Sequence, residues 1–518
     1  VFVSEAKGGM VSSQDMPAVA PRRPCLLLDC AMHHAKRRKS VRAAAPQSAP
    51  DPVNPPALLE FMMRDWRPAP RRSVAAIAGA ARFRARRKAL SRAFLGQTLV
   101  IPSGHEKVRV NDTTYRFRPG SDFYYLTGNK EPDCVLVLWP NKSGGHEHVL
   151  YVEPNPGRTD PTFFTDRAKG ELWVGPRLGV EETKRRFGVD RCAPLAELAK
   201  RLARRGAPVC RLLRGVDPLL DARFAKQGLR DQELATSLSE QRLIKDATEV
   251  AAIAKAAVAT RAAFDAVVRE LHGAKNERQL EATFDRQARL LGNEVGYGTI
   301  AAAGADACTL HWTRNDRPLD GRSLVLIDAG VEGEDLYTAD ITRTLPQSGV
   351  FSAEQRALYE LVVSAQEAAL AAVKPGADFQ APHRASIETL TRGLERLGIL
   401  PMSAAEALAA DKQFHKRYTL HNTSHMLGLD VHDNAAARPE HYRQGKLRVG
   451  MVLTVEPGLY LQSDDLTVPA RYRGIGIRLE DDVLVTKSGY RLLTDVPRTV
   501  ADIETWMRNL WRERGVAG

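Results

Sequence analysis

Five segments of the chain each set one potential metal donor beside an apolar run. They are L-V-L-I-D-A-G with Asp328, T-A-D-I-T-R-T-L-P with Asp340, H-N-T-S-H-M-L-G-L-D-V-H-D with His425, M-V-L-T-V-E-P-G with Glu456, and G-I-G-I-R-L-E-D-D-V-L-V with Glu480. Singly, each has a structural explanation. Asp328 ahead of Gly330 can open a turn, Asp340 can pair with Arg343, Glu480 can pair with Arg478, and a lone histidine is commonly a hydrogen-bonded core residue. Glu456 is harder to explain away, because a carboxylate at the end of V-L-T-V is costly to bury without a partner. Taken jointly, four carboxylates and one imidazole at strand ends match what a pair of divalent cations requires. Four negative charges balance two M²⁺ ions, and shared carboxylates hold such ions about 3.5–4 Å apart. A water between them loses a proton near pH ~7 instead of far above it, so a bridging hydroxide becomes the nucleophile. No serine or cysteine nucleophile is needed. The residues alone therefore reach a two-metal hydrolase and stop there.

The elements that must position these donors follow from periodicity. Asp246-Ala247-Thr248-Glu249 is a capping box, and Val250, Ile253, Ala257, Phe264, Val268 and Leu271 continue it at helical spacing to Gly273. A second helix is expected from Asn276, with Gln279 in the box position, to Gly292, and a third over residues 353–373. Strands are expected at 324–327, 451–455 and, as one long strand, 475–486, where Ile475, Ile477 and Leu479 alternate with Arg478 and Glu480. This makes residues 240–510 an α+β domain. Ahead of it, a helix over 82–94, strands at 98–101, 134–139 and 148–152, and helical stretches near 180–206 suggest a smaller α/β domain over 82–235.

Residues 1–80 are rich in Pro, Ala and Arg, and such a stretch buries too little apolar surface to offset its ordering entropy, so disorder is expected. Within it, twelve Lys or Arg stand against six Asp or Glu, which accounts for about half of the net charge of +13. A second basic cluster, R-F-R-A-R-R-K-A-L-S-R from Arg82 to Arg92, reads as the solvated face of a helix. The excess charge thus lies away from the donors, and no nucleic-acid partner is expected. No apolar run is long enough for a membrane span. Six scattered cysteines without a C-x-x-C pair fit reduced thiols in a cytoplasmic protein.

With these motifs in place, the chain resembles the pita-bread metallopeptidases, and within them the aminopeptidase P family of Xaa-Pro aminopeptidases. The likeness runs from about residue 82 to 510 and includes Arg118–Asp133 (R-P-G-S-D-F-Y-Y-L-T-G-N-K-E-P-D) and Gly170–Gly179 (G-E-L-W-V-G-P-R-L-G) in the first domain. It implies a creatinase-type first domain ahead of a pita-bread catalytic domain, and removal of residue X from peptides that begin X-Pro. Asp328 is implied to chelate one ion and Asp340 to bridge both. His425 and Glu456 complete the two sites, and Glu480 bridges again. Glu456 also serves as proton acceptor and donor, while His421 and His432 contact substrate and the tetrahedral intermediate. His311, in T-L-H-W-T-R-N-D, resembles a further substrate-side histidine. Arg478 and Asp112 resemble an outer pair that holds the metal carboxylates. Trp173 resembles a residue closing a neighbouring subunit's pocket, which implies a homodimer or homotetramer. Manganese is the expected metal, since an oxygen-rich set with one imidazole suits a fairly hard ion.

Proline specificity rests on the resemblance alone. Prolidase, which cleaves X-Pro dipeptides, shares the donors and is the alternative. A non-catalytic pita-bread binding protein and a metal-free creatinase-like enzyme are disfavoured by retention of all five donors. Two departures stand out. Asn422 replaces the usual Gly after His421, where its tolerance of left-handed angles would preserve the turn. The interval from Asp328 to Asp340 is one residue longer than in some relatives, which fits a hairpin.

Overall fold

The computed structural model describes residues 54–67, 73–204, 210–224, 226 and 228–513. Pro52–Gly518 forms one compact unit. Most of the basic tail, with Cys25 and Cys30, lies outside the described residues. Part of the stretch expected to be disordered is helical: Pro56–Met63 forms two turns, with Pro56 at the first helical position, where its fixed φ and missing N–H cost nothing.

The first domain is built on a five-stranded mixed sheet. Its strands are β1 (Thr98–Pro102), β2 (Val135–Pro140), β3 (His146–Val152), β4 (Arg191–Pro194) and β5 (Cys210–Leu212), in the order β4-β3-β2-β1-β5. β1, β2 and β3 pair antiparallel, and both edge strands join parallel. The near-continuous apolar runs of β1 and β2 are buried on both faces. Helix α1 (Ala80–Ala93) covers one face through Leu90, which shares a core cluster with Leu99, Leu136 and Leu150. A short exposed hairpin, Val108–Val110 with Thr113–Thr114, projects from this domain.

In the second domain the capping box forms as expected: Asp246 accepts the Thr248 and Glu249 N–H groups, and the Glu249 carboxylate accepts from the Asp246 N–H, opening helix α2 (Ala247–Leu271). Helix α3 (Glu277–Leu291) is capped by Asn276, but the Gln279 side chain accepts from the Lys275 N–H instead of the Asn276 N–H, so that box is half made. These helices, with α4 (Ala353–Ala372) and α5 (Ala381–Arg396), back the curved strands that carry the donors. β6 (Ile300–Ala303), β7 (Leu324–Ala329) and β8 (Ile341–Pro346) form one antiparallel sheet. β9 (Val452–Val455), β12 (Asp481–Thr486) and β13 (Gly489–Leu492) form another, and β10 (Gly458–Leu461) pairs with β11 (Ile475–Arg478).

The expected single strand over 475–486 is therefore two strands in two sheets. The break falls at Leu479-Glu480, where the Leu479 N–H donates to Pro457 O (3.2 Å) and the Glu480 N–H to Thr342 O (3.1 Å). The first bond extends the β10–β11 ladder by one rung, the second crosses to β8, and the chain changes sheet at Glu480. Cys134, Cys192, Cys210 and Cys308 are free thiols. Among the described residues no helix is long and apolar enough to cross a membrane.

Candidate metal centre

Antiparallel register brings the acids together in two pairs. β7 and β8 pair Asp328 with Thr342, so Asp340 lies one residue before β8, across the hairpin from Asp328. β9 and β12 pair Val455 with Asp481, so Glu456 and Glu480 are the next facing positions just beyond the paired strands. The two hairpins join where the Thr342 hydroxyl donates to Glu480 Oε2 at 2.7 Å. Gly330, expected to serve a turn, is required for another reason. A Cβ there would stand 1.8 Å from the Ala339 carbonyl oxygen, so only glycine lets the Asp340 segment pass this close.

The longer interval between the two aspartates is absorbed as a hairpin, closed by the Gly333 N–H donating to Tyr337 O at 2.8 Å. His425 comes from a loop and not from a strand. Its neighbour Met426 bridges to Leu453 of β9, and the Thr454 N–H donates to His425 O at 2.9 Å, which fastens the loop to the sheet. Asn422 has no positive φ, so this turn needs no left-handed residue and the loss of glycine is harmless to the backbone.

His425 Nδ1 lies 3.2 Å from the Met426 carbonyl, which takes the ring N–H and turns the Nε2 lone pair inward. Nε2 stands 3.4 Å from Asp340 Oδ2, 3.4 Å from Glu456 Oε1 and 3.9 Å from Glu480 Oε1. Donor atoms of Asp340, His425 and Glu480 lie within 4.8 Å of one another. Asp328 is tied in by the Tyr297 phenol, which bonds to Asp328 Oδ1 at 2.8 Å and to Asp340 Oδ1.

The electrostatics of these groups without a cation are unfavourable. Burial, then the neighbouring acids, pushes Glu480 well above the usual carboxylate range. Burial likewise raises Glu456 to about 7, against the opposing pull of His425. Asp482, buried behind the site and accepting from the Asp340 N–H, is also raised well above its ordinary value, first by burial and then by Asp340. Glu480 Oε1 is buried with no hydrogen-bond partner among the described residues. A buried acceptor left open beside three further carboxylates and an inward imidazole lone pair is the donor set of a divalent-cation site, so the residues fit the metal.

The remaining candidates fall into two groups. His421, His432, His311 and Arg478 line the same cavity as the donors, about 720 Å³ in volume. Arg478 donates to Asp328 Oδ2 at 2.5 Å through Nη2 and to the Tyr460 hydroxyl at 2.9 Å through Nη1. His421 Nε2 lies 2.8 Å from that same hydroxyl, and its Nδ1 is 3.5 Å from Glu456 Oε2. Burial, then Arg478, lowers His421 to about 4, so it is neutral at pH 7. The His432 ring packs edge-on against His425 with centroids 4.5 Å apart, and its loop is anchored through Asp433 by Arg242 and Lys245.

Asp112 and Trp173 do not join them. Asp112 sits at the tip of the exposed hairpin, 4.0 Å from Arg167, and Arg478 takes its partners from Asp328, Tyr460, Thr342 and Leu310 instead. The pairing of Asp112 with Arg478 is thus corrected within this chain. Trp173 is half exposed on the first domain, its indole N–H donating to Phe164 O at 2.7 Å.

Sequence reasoning missed Tyr297, Thr342, Tyr460, Asp482 and His383. His383 Nδ1 accepts from the Thr423 N–H at 3.3 Å and so steadies the histidine loop from α5. None carries a local signal, because each lies on an ordinary strand, helix or loop and acts only through a contact distant in sequence.

Comparison with known proteins agrees with this geometry. The profile of metallopeptidase family M24 matches residues 251–487, and that of the aminopeptidase P N-terminal domain matches residues 83–209. Xaa-Pro aminopeptidase 1 of Streptomyces coelicolor is 46% identical over 88% of this chain and 92% of its own length. Xaa-Pro aminopeptidase of Escherichia coli is 34% identical over 82% and 97%. The solved structure of aminopeptidase P from E. coli with the inhibitor Pro-Leu superposes with a TM-score of 0.76 at 32% identity, covering 85% of this chain and 100% of that one. A zinc-substituted form of the E. coli enzyme with product gives 0.75. The chain is accordingly a metallo-exopeptidase of family M24, with the pita-bread fold, and belongs to the aminopeptidase P group within it.

Proposed function

We propose that this chain removes the N-terminal residue from peptides whose second residue is proline, with Asp328, Asp340, His425, Glu456 and Glu480 holding two divalent cations. The observation that carries the reading is the convergence of these donors, one with a buried open acceptor, on the wall of a single cavity. When bound, the cations supply Lewis-acid polarisation of the scissile carbonyl and a lowered pKa for water.

The chain's own groups do the rest. Glu456, on the cavity wall beside His425, is placed to take a proton from the attacking water and return it to the proline nitrogen. His421, neutral at pH 7, gives its Nδ1–H to the Asn422 carbonyl and accepts the Tyr460 O–H at Nε2, so it is held fixed in the wall that meets substrate. Arg478 fixes both Tyr460 and Asp328, and His311 and His432 line the space for substrate. A proline amide has no N–H, so recognition by ring shape and histidine contacts selects it where enzymes that grip that N–H fail.

Manganese is the metal we assign, on the hardness of four carboxylates with one imidazole. We assign a homodimer or homotetramer because Leu172, Trp173 and Val174 expose one contiguous apolar turn, which a second copy would cover. A cytoplasmic location suits the free thiols.

The test offers the manganese-loaded protein an X-Pro-Y tripeptide and an X-Pro dipeptide in parallel. Release of X from the tripeptide is expected. Cleavage of the dipeptide alone would assign a prolidase, and no cleavage of either would overturn the reading.

A further inference from the structure

We infer that the first domain carries an anion site, separate from the metal centre, that takes a small phosphate-bearing ligand between helix α1 and the turn joining β2 to β3. Helix α1 contains six Lys or Arg residues and no acid. Two of these are committed inward. Arg86 pairs with Asp246 and Glu249, and Arg87 donates to the Leu126 and Gly188 carbonyls. Arg84, Lys88 and Arg92 recur every fourth residue, so they share one outward face. Like charges at this spacing repel, and no carboxylate on the helix relieves them.

That face does not look onto open solvent alone. It forms one wall of a cavity of about 440 Å³, within the size range of small-molecule sites. The opposite wall brings Asn141 and His148. Asn141 Oδ1 is used up by the Ser143 N–H, the Ser143 hydroxyl and the Gly145 N–H, which leaves the Nδ2 end for a ligand. The His148 side chain is 6% exposed, and its Nε2 has no hydrogen-bond partner among the described residues.

Burial, and then the neighbouring Arg87, lowers His148 to about 4, so the ring is neutral at pH 7; with its N–H on Nδ1 toward Asp190, the open Nε2 is an acceptor for the P–OH of a monoprotonated phosphate. Asp190 is the one carboxylate on the wall. It accepts the His148 backbone N–H at 2.9 Å and lies 3.5 Å from Nδ1, so it orients the ring that the ligand would meet. Three cations, a free amide and an unpartnered imidazole around one hollow match a ligand with several anionic oxygens, and phosphate provides them. The basic cluster read from the sequence as a solvated helix face becomes the wall of a site.

The test titrates inorganic phosphate and a nucleoside monophosphate, at chloride-matched ionic strength, into the full-length metal-loaded protein by calorimetry. It repeats both with the Lys88→Gln/Arg92→Gln variant. Both side chains are exposed, so the fold is retained, and neither belongs to the metal centre, so peptidase kcat/KM is expected to be unchanged. The expected result is phosphate affinity lower by about tenfold or more in the variant, as for loss of two charge-assisted hydrogen bonds. Binding of the monophosphate as well would place the ligand among phosphorylated metabolites, and binding of inorganic phosphate alone would identify the free ion. Equal phosphate affinity in the two proteins would put the ion at the metal centre and overturn the site. So would affinity no greater than that for chloride, or capture of a single-stranded oligonucleotide without any phosphate binding.

Discussion

Replacing Glu480 by Gln removes one negative charge from a buried cluster, and its effect on stability is expected to oppose its effect on function. Burial and the acids around it raise Glu480 well above the usual carboxylate range, so without metal the folded chain binds a proton that the unfolded chain, with pKa ~4.3, has released at neutral pH. The sign follows from linkage. The folded state is favoured most below pH ~4.3, and stability falls by up to ~1.4 kcal/mol per pH unit above it until the raised pKa is reached.

Glutamine keeps the shape and has no such dependence. In the metal-free protein Glu480→Gln should therefore be more stable at pH 7 by about 1–3 kcal/mol, a range that also covers the cost of the open acceptor Oε1. A unit spanning Pro52–Gly518, at ~2 cal/mol/K per residue, unfolds with an entropy near 1 kcal/mol/K, so the gain is about 1–3 °C in Tm. At pH 4.5 the gain should vanish. With manganese added, the wild-type Tm should rise more than the variant's, and variant kcat/KM should fall at least about a hundredfold, as for a group acting in the transition state. The assay is scanning calorimetry of chelator-treated protein at both pH values, then again with metal. A metal-free variant less stable than wild type at pH 7, or a gain of equal size at pH 4.5, would refute the electrostatic account.

Other consequences can be measured independently. Tyr297→Phe removes the phenol that joins Asp328 and Asp340, and should weaken metal binding about 10–100-fold by calorimetry while leaving the circular dichroism unchanged. Arg343→Met leaves Asp481 buried without the guanidinium that meets it at 2.7 Å, and should cost about 3–5 kcal/mol in denaturant unfolding. His105 is held between Asp133 and Asp217, whose hydrogen bonds raise it to about 10 from an unfolded value near ~6.5. Its contribution is complete below pH ~6.5 and lost as pH rises through about 10, so His105→Gln should flatten the fall in Tm across that window.

Much of the chemistry could be read before any fold was known, because metal donors impose residue types that are costly anywhere else in an apolar run. A carboxylate ending V-L-T-V, or following L-V-L-I, stands against its surroundings unless something neutralises it. The five candidate donors were read that way. The supporting groups were not, since a tyrosine such as Tyr297 or a threonine such as Thr342 suits an ordinary strand or loop equally well. The same limit explains the strand expected over residues 475–486. Alternation continues through Leu479 and Glu480, and only the pairing of β11 with β10 and of β12 with β9 divides it between two sheets.

By itself, then, the sequence determined the candidate donor set, the helix starts at Asp246 and Asn276, and the division into a sheet domain followed by an α+β domain. These are local properties of residue type and spacing. Tertiary structure decided which residues meet across long intervals. It set Glu456 opposite Glu480, used Gly330 for close passage where a turn was expected, and gave Arg478 to Tyr460 and Asp328 while Asp112 stayed on a distant hairpin. Strand register and side-chain direction settle such encounters, and both are fixed by packing of the whole domain, which no short window of residues contains.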